Sequence, residues 1–234
     1  MTNTLIPILF LAGGFGTRLR VLDSERPKPM ILVKGKPFLH WLTKHYAEQG
    51  FRKFYISTGY LAHVIEEYPW TSEFLGCEFS FIREENPLGT GGAVKNIFDL
   101  NPTLKDAWIV NGDTLLEDPL PLLSAAAWDK EEQDVLFTTL KKENVFDATP
   151  NLHVQGSLVT AEGTGGTVFD AGAILVKRRA VCNSENSHLK TPFSIHKLLE
   201  RAMSGGKAGF LPLKGTCYDI GTPERYKRFE NILP

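Results

Sequence analysis

The sequence is poor in cysteine and histidine and has no excess of charge of either sign. Cys77, Cys182 and Cys217 lie far apart and form neither a CxxC pair nor a zinc-ligand spacing, and the six histidines contain no HExxH pattern. We therefore expect free thiols and assign the histidines no chemistry. The formal net charge of −1 over 234 residues supplies no global positive field, so we expect a small anionic ligand and no nucleic-acid partner.

Long apolar runs are also missing. The run at residues 5–12 is too short to span a bilayer and has no basic segment before it, so it predicts a buried strand and no membrane partner. No internal repeat, low-complexity linker or change of composition divides the chain, and we expect one domain over residues 1–234. A cytoplasmic location is the default expectation, and a homo-oligomer remains possible.

The first 115 residues alternate short apolar runs with amphipathic segments, which is typical of strand-helix-strand units in a parallel sheet. In such a sheet, ligands bind beyond the carboxyl ends of the strands, where glycine-rich turns follow residues 12 and 110. The pattern predicts strands at residues 6–12, 53–58, 77–83 and 107–110, and helices from Pro37, at 61–68 and at 93–98.

The second half is less regular. We expect Thr191 to cap a helix with Pro192 at its first position, Gly205 and Gly206 to end that helix, and Thr222 to cap the last one. Strands are predicted at residues 135–140, 152–159, 168–176 and 208–213. The whole pattern predicts an α/β fold, a Rossmann-like doubly wound mixed sheet in a single domain.

A glycine-rich turn follows the first predicted strand: Leu11-Ala12-Gly13-Gly14-Phe15-Gly16-Thr17-Arg18-Leu19. Its glycines allow backbone N–H groups to approach phosphate oxygens, and Thr17 and Arg18 add a hydroxyl group and a permanent positive charge. The turn is neither the Walker motif, which needs GK[ST], nor GxGxxG. A structural loop without a ligand would use the same glycines, so the turn alone leaves both interpretations open.

Three charged side chains stand at positions suited to phosphate and metal. Lys28 lies between two prolines, which restrict the backbone and reduce the freedom lost on binding phosphate. Asp113 follows the buried strand that ends at residue 110, and Asp219 precedes the last helix. Mg²⁺ commonly binds one or two carboxylates together with substrate phosphate oxygens, so the pair is a candidate magnesium site. Taken singly, each residue also fits an ordinary turn or cap.

Five motifs, in this order, resemble those of the sugar-phosphate nucleotidylyltransferases: LAGGFGTRL, PKPM, PLGTGGA, NGDT and DIGTP. The resemblance covers nearly the whole chain and is dense over residues 6–115. It implies a GT-A-like nucleotidyltransferase fold, an Mg²⁺ cofactor, and a nucleoside triphosphate and a sugar 1-phosphate as substrates. It also implies a nucleotide-binding half at about residues 1–118 and a sugar-binding half at about 119–234.

The same resemblance implies roles for individual residues. It implies that Arg18 and Lys28 are catalytic phosphate contacts and that Asp113 and Asp219 are Mg²⁺ ligands. Asp170 and Gly172 would contact the sugar. The residues implied to contact the nucleotide are Leu11, Ala12, Gly13, Gly14, Gly16, Thr17, Glu84, Pro87, Gly89, Thr90 and Gly112. One departure concerns a Phe-x-Glu-Lys stretch whose lysine meets the sugar phosphate in that family. Residues 159–166 stand in its place and contain no lysine, and a mobile glycine-rich lid is the alternative interpretation.

Substrate choice is implied more finely by the stretches GTRLR, GKPFL and ENPLGTGGA. These are most similar to D-glycero-α-D-manno-heptose 1-phosphate guanylyltransferases. A carboxylate at Glu84 or Glu85 would accept hydrogen bonds from guanine N1–H and its exocyclic amine, although a solvated pair at a strand end would use the same residues. We therefore expect GTP and a manno-configured sugar 1-phosphate, with UTP and an amino-sugar 1-phosphate as the alternative.

Two other hypotheses differ in kind. A nucleotide-binding regulator without catalysis would keep the glycine-rich turn but would not need Arg18, Lys28, Asp113 and Asp219 together. A redox dinucleotide-binding domain needs GxGxxG and an acidic residue at the end of the second strand, where residues 57–60 are Ser-Thr-Gly-Tyr. An enzyme is the interpretation that uses all of these residues.

Overall fold

The computed structural model describes residues 5–16, 23, 25–123, 128, 131–145 and 148–233. These residues form a nine-stranded mixed sheet with helices on both faces, which confirms the predicted α/β class. The strands are β1 (Ile8–Leu11), β2 (Leu32–Val33), β3 (Lys36–Pro37), β4 (Lys53–Thr58), β5 (Glu78–Arg83), β6 (Asp106–Asn111), β7 (Thr114–Leu116), β8 (Val135–Leu140), β9 (Leu152–Gln155), β10 (Leu158–Glu162), β11 (Phe169–Lys177), β12 (Ala208–Pro212) and β13 (Cys217–Asp219).

The α-helices connect these strands and cover the sheet. They are α1 (Phe38–Glu48), α2 (Ala62–Glu66), α3 (Trp70–Glu73), α4 (Gly89–Leu100), α5 (Arg178–Val181), α6 (Ile195–Ser204) and α7 (Pro223–Ile232). Short 3-10 turns occur at Lys28–Met30, Lys142–Asn144 and Asn186–His188. Among the residues described, no helix combines the length and the apolar character needed to cross a membrane.

The strand order is β5-β4-β1-β6-β11-β8-β12-β10-β9. The first four of these run parallel, as their near-continuous apolar sequences predict, and β11 joins them antiparallel to β6. In register, Leu11 lies opposite Ser57 on β4 and Asn111 on β6. The turns that follow these three residues therefore meet at one edge of the sheet.

Both faces of the sheet are buried, and β1 shows why. Ile8 and Phe10 pack into one apolar cluster with α1, whereas Leu9 packs into the other with α4 and α6. All three side chains are fully buried. Because successive side chains of a strand point to opposite faces, a strand in the centre of a two-sided core must be apolar throughout.

Three predicted elements differ from the structure: the strand at residues 152–159, the helix expected to begin at Pro192 and the helix expected at residues 93–98. The strand expected at residues 152–159 is a hairpin of β9 and β10, because Gly156 adopts φ +60° and turns the chain between them. The helix expected to begin at Pro192 begins at Ile195 instead. Ser194 is its N-cap, and its hydroxyl accepts a hydrogen bond from Lys197 N at 3.1 Å.

Other predicted helix ends are confirmed. Gly205 is the C-cap of α6, and Thr222 caps α7 by accepting a hydrogen bond from Arg225 N at 3.3 Å. Helix α4 begins at Gly89, four residues earlier than predicted, so the PLGTGGA motif forms its first turn rather than a loop before it. This start brings the motif to the same edge of the sheet as the glycine-rich turn.

Candidate active site

A cleft of about 450 Å³ opens at the carboxyl edge of β1, β5 and β6. Its lining residues come from three turns and one loop: Leu11, Ala12, Gly13, Gly14, Phe15, Gly16, Lys28, Pro29, Glu84, Pro87, Gly89, Thr90, Ala93, Asn111 and Asp113. The structure therefore brings together most of the residues predicted to contact nucleotide. Thr17 and Arg18 lie outside the described residues.

Glycines in the first turn allow close approach to neighbouring groups. A Cβ atom on Gly13 would lie 2.6 Å from Glu84 Oε1, and one on Gly16 would lie 2.6 Å from Lys28 Cβ. Gly16 also has a backbone φ of +55°, a conformation that residues other than glycine rarely adopt. A Cβ atom on Gly14 would meet nothing within 4 Å. Gly13 and Gly16 thus let the turn lie directly on Glu84 and Lys28.

Gly112 and Thr90 are near the cleft but have structural contacts of their own. Gly112 N donates to Leu11 O at 3.0 Å, and a Cβ on Gly112 would lie 2.5 Å from that oxygen. Gly112 does not line the cleft. The Thr90 hydroxyl lines the cleft and accepts a hydrogen bond from Ile195 N at 2.9 Å, which ties α4 to the start of α6.

Glu84 is held in a defined position at the floor of the cleft. Its Oε1 accepts a hydrogen bond from Ser57 Oγ at 2.7 Å, and its Oε2 accepts one from Leu88 N at 3.0 Å. Glu84 N donates to Thr58 O at 2.7 Å. A carboxylate has about four acceptor sites, so each oxygen can accept a further bond from a ligand.

Asp113 and Asp219 are brought together by the pairing of β7 with β13. That pairing places Asp219 opposite Thr114, and Ile220 N donates to Asp113 O at 3.1 Å. The two carboxylates therefore lie on adjoining turns although 106 positions separate them in the chain. Asp113 Oδ1 also accepts a hydrogen bond from Thr114 Oγ1 at 2.9 Å.

Each of these carboxylates has a cationic partner. Lys28 Nζ forms an ion pair with Asp113 Oδ2. Arg225 Nη1 contacts both carboxylate oxygens of Asp219, at 3.1 and 3.0 Å, and Gly221 N donates to Asp219 Oδ1 at 2.7 Å. The sequence analysis missed Arg225. Its position in the first turn of α7, two residues past the DIGTP motif, was the available clue.

The donor set suits Mg²⁺. The described residues contain no group of three or more His, Cys, Asp or Glu side chains that could hold a metal ion by themselves. Two adjoining carboxylates supply hard oxygen ligands, and Mg²⁺ usually completes its coordination with water and substrate phosphate. Asp113 and Asp219 therefore fit a magnesium ion that arrives with a phosphorylated substrate.

Strand β11 bulges beside Asn111, a residue that lines the cleft. The pairing with β8 shifts between Asp170 and Ile174, and Gly172 has φ +87°. A Cβ atom on Gly172 would lie 2.9 Å from Asn111 Nδ2, so only glycine lets the bulge approach this closely. Asp170 Oδ1 accepts a hydrogen bond from Gly172 N at 2.9 Å and so fixes the bulge.

His196 is a second residue that the sequence analysis did not single out, and it contacts Asp170. Its Nε2 lies 2.9 Å from Asp170 Oδ2, and its ring stacks on Phe137 at 6.1 Å between centroids. Burial disfavours the charged imidazole, but the hydrogen bond and charge of Asp170 and the charge of Glu162 outweigh it and raise the pKa of His196.

A cysteine lies among the acidic residues. Burial raises the pKa of the Cys217 thiol to about 12, and the charges of Asp219, Asp113 and Asp170 act in the same direction. The thiol is therefore protonated near neutral pH, which makes it a poor nucleophile.

The lid interpretation of residues 159–166 does not hold for residues 159–162, which belong to a paired strand. Residues up to Glu162 belong to β10, which pairs with β9 at the edge of the sheet. Gly163 N then donates to Asn151 O at 2.8 Å, and Thr167 N donates to Leu152 O at 2.9 Å. The glycines form a hydrogen-bonded turn there, because backbone pairing uses groups that a free lid would leave to water.

Comparison with known proteins gives the family. The family model described as "Nucleotidyl transferase" matches residues 7–146, more than half of the chain. This chain belongs to the nucleotidyl transferase family. The match covers β1 to β8 and includes the glycine-rich turn, Lys28, Glu84 and Asp113.

Two curated relatives are similar to this nucleotidyl transferase over nearly their whole length. The D-glycero-alpha-D-manno-heptose 1-phosphate guanylyltransferase of Campylobacter jejuni is 31% identical over 228 residues, covering 94% of this chain and 97% of that one. The enzyme of the same name from Aneurinibacillus thermoaerophilus is 31% identical over 229 residues, covering 96% and 97%.

A solved structure has the same fold. The crystal structure of HddC from Yersinia pseudotuberculosis complexed with GMP-PN aligns with a TM-score of 0.76 and 25% identity, covering 96% of this chain and 97% of that one. The similarity extends beyond the family match into the second half of the chain, where β9 to β12 complete the nine-stranded sheet and β13 pairs with β7.

Proposed function

We propose that this nucleotidyl transferase moves guanylate from GTP to D-glycero-α-D-manno-heptose 1-phosphate, and releases pyrophosphate. The observation that supports this most is its 31% identity, over nearly full length, to two guanylyltransferases of that name. The site also supports the enzyme class, since the glycine-rich turn, Lys28 and Asp113 line the cleft and the pairing of β7 with β13 brings Asp219 next to Asp113.

The reaction is a displacement at the α-phosphorus of the nucleotide. An oxygen of the sugar phosphate forms the new P–O bond while the bond to the leaving pyrophosphate breaks, approximately in line. That oxygen is already ionised near neutral pH, so the chain needs no general base. Both substrates are anions, and a bound Mg²⁺ supplies charge neutralisation at the phosphates.

This chain's own residues then bind and orient the substrates. We assign Lys28 and Arg18 to the charge that moves onto pyrophosphate. Asp113 and Asp219 hold Mg²⁺, and Asp170 with Gly172 shapes the sugar side. We assign the nucleotide contacts to Leu11, Ala12, Gly13, Gly14, Gly16, Thr17, Glu84, Pro87, Gly89 and Thr90, so that residues 1–118 serve the nucleotide and residues 119–234 serve the sugar. Gly112, which does not line the cleft, supports the glycine-rich turn through its hydrogen bond to Leu11 O.

Glu84 supports the choice of guanine. It lies at the floor of the cleft beneath Gly13, and two protein hydrogen bonds fix its carboxylate. Guanine offers two adjacent donors, N1–H and the exocyclic amine, to a carboxylate held in this way. Uracil offers such a carboxylate only one donor, so UTP with an amino-sugar 1-phosphate ranks second as the substrate pair.

We place the reaction in the cytoplasm, a reducing compartment in which free thiols such as those of this chain persist.

The test is a matrix of nucleoside triphosphates against sugar 1-phosphates, scored by pyrophosphate release with Mg²⁺. We expect GTP with the heptose 1-phosphate to give the highest kcat/KM. A higher value for UTP or CTP would reject guanylyl transfer and leave the enzyme class intact. If no pair releases pyrophosphate, while labelled nucleotide still binds and no isotope exchanges between pyrophosphate and nucleotide sugar, the chain is a nucleotide-binding regulator.

A further inference from the structure

The two carboxylates proposed for Mg²⁺ are occupied by protein cations when no metal is bound. Lys28 pairs with Asp113, and Arg225 contacts both oxygens of Asp219. The four side chains are between 18% and 32% exposed, so the pairs are partly shielded from water. A divalent ion that binds both carboxylates must therefore displace or move both cations.

The two cations are also close to each other. A Cβ atom on Gly221 would lie 3.7 Å from Lys28 Nζ and 3.7 Å from Arg225 Nη1, so the two nitrogens are no farther apart than twice that distance. Positive groups at this spacing repel unless anions lie between them. In the metal-free chain those anions are the carboxylates, and phosphate oxygens are suited to replace them.

Arg225 is connected to the bulge of β11 through Asp219 and Thr114. Asp219, its partner, is paired in register with Thr114. Thr114 Cγ2 in turn lies 3.4 Å from the position of a Cβ on Gly172, in the bulge of β11. Residues 159–166 contain no lysine or arginine, so that segment supplies no cation to a sugar phosphate. In the proposed reaction the sugar phosphate comes to the metal site, and the guanidinium of Arg225 lies at that site against Asp219.

We propose that Arg225 is a substrate-binding residue for the sugar phosphate, and that metal binding releases it from Asp219. When a divalent ion takes the carboxylate oxygens of Asp219, the guanidinium leaves that carboxylate and turns to the phosphate of the sugar. Its planar fork can then bind two phosphate oxygens at once. This inference rests on the proposed function, because that function supplies the sugar phosphate.

The first measurement needs no activity. Mn²⁺, used in place of Mg²⁺, is titrated into the nucleotide-free chain and followed by electron paramagnetic resonance. Arg225→Met removes the competing cation and should tighten Mn²⁺ binding on the order of 10-fold. Arg228→Met, one turn along α7, removes the same charge from an exposed position and should leave Mn²⁺ binding unchanged.

The second measurement concerns phosphate. In the presence of saturating Mn²⁺, calorimetry with inorganic phosphate should show on the order of 10-fold weaker binding to Arg225→Met than to wild type. With the best substrates of the wild type, the KM for the sugar 1-phosphate should rise by a similar factor and the KM for the nucleotide much less. Arg225→Lys keeps the charge without the fork and should fall between wild type and Arg225→Met.

The outcomes separate this inference from the proposed function. If wild type releases pyrophosphate and Arg225→Met changes neither phosphate binding nor the KM for the sugar 1-phosphate, the function stands and the inference is rejected. If wild type releases none, the proposed function fails, and the Mn²⁺ and phosphate titrations still decide the role of Arg225. If folded Arg225→Met and Arg225→Lys bind Mn²⁺ and inorganic phosphate as wild type does, the inference is rejected, and the ion pair of Arg225 with Asp219 is only a structural contact of α7.

Discussion

His196 Nε2 lies 2.9 Å from Asp170 Oδ2, and this contact joins helix α6 to the bulge of β11. Both side chains are largely buried, with 18% and 11% exposed. A carboxylate has no proton to give, so the imidazole is the donor. Because the other oxygen of Asp170 accepts from Gly172 N, the helix is linked through one carboxylate to the glycine beside Asn111.

This contact predicts a stability that depends on pH. The pKa of His196 is raised in the folded chain from its ordinary value of 6.5. The charged imidazole therefore stabilises the fold fully below that ordinary value, and this stabilisation is lost as the pH rises through the raised folded value. We expect His196→Gln to lower the free energy of unfolding by about 2 kcal/mol at pH 5.5, and by less at pH 9.

Urea unfolding of the two proteins across this pH range measures the difference. His188→Gln is the matched control, because His188 is exposed and should change the free energy of unfolding little at any pH. A His196→Gln penalty that stays constant from pH 5.5 to 9 would show that packing against Phe137, rather than charge, is what the substitution removes.

Gly13 and Gly14 should respond differently to alanine. A Cβ on Gly13 would displace Glu84 from Ser57 and from the backbone N–H of Leu88, whereas a Cβ on Gly14 meets nothing within 4 Å. Neither glycine has a positive φ, so only the contact differs. We expect Gly13→Ala to raise the KM for nucleotide roughly 10-fold or more and Gly14→Ala to change it little. Equal effects would remove Glu84 from the nucleotide site.

The carboxylates should be needed for turnover but not for folding. Asp113→Asn and Asp219→Asn keep the shape of the side chain and remove the charge that a divalent ion requires. Each should lower kcat on the order of 10²-fold or more, with a Tm near that of wild type. Pyrophosphate release at limiting Mg²⁺ is the measurement, and near-normal turnover in either folded variant would take that residue out of the metal site.

Lys28 should act on the chemical step. Charge accumulates on pyrophosphate as the bond to it breaks, so Lys28→Ala should lower kcat on the order of 10²-fold beyond any change in KM. Lys36→Ala is the control, since Lys36 pairs with the exposed Glu73 away from the cleft. A change in KM alone would limit Lys28 to ground-state binding. We predict the same loss of kcat for Arg18→Ala.

Glu84 should control base selection. Glu84→Gln preserves the volume but replaces one acceptor oxygen by a donor, which opposes the two donors of guanine. We expect kcat/KM for GTP to fall roughly 10-fold or more relative to that for UTP. The ratio is measured by competition between the two nucleotides in one reaction mixture. An unchanged ratio would place guanine recognition on other groups of the cleft.

Several features could be predicted from the sequence because they depend on neighbours along the chain. Apolar runs of strand length gave β1, β4, β5 and β6, and turn-forming glycines after the first and fourth of these marked the edge at which the cleft lies. Thr222 could be recognised as a cap since capping uses a backbone N–H three residues away. The prediction of one strand at residues 152–159 was wrong because the same apolar pattern fits both a long strand and a hairpin.

The sequence by itself determined the parts of the site, namely the glycine-rich turn, Lys28 and two aspartates after strands. Only the tertiary structure decided how they meet. The pairing of β7 with β13 joins Asp113 to Asp219, and the packing of α6 on the sheet joins His196 to Asp170. These contacts link positions far apart in the chain, and no local periodicity specifies them. Arg225 likewise became recognisable as part of the site only from its contact with Asp219 in the folded chain, since no sequence motif marks that contact.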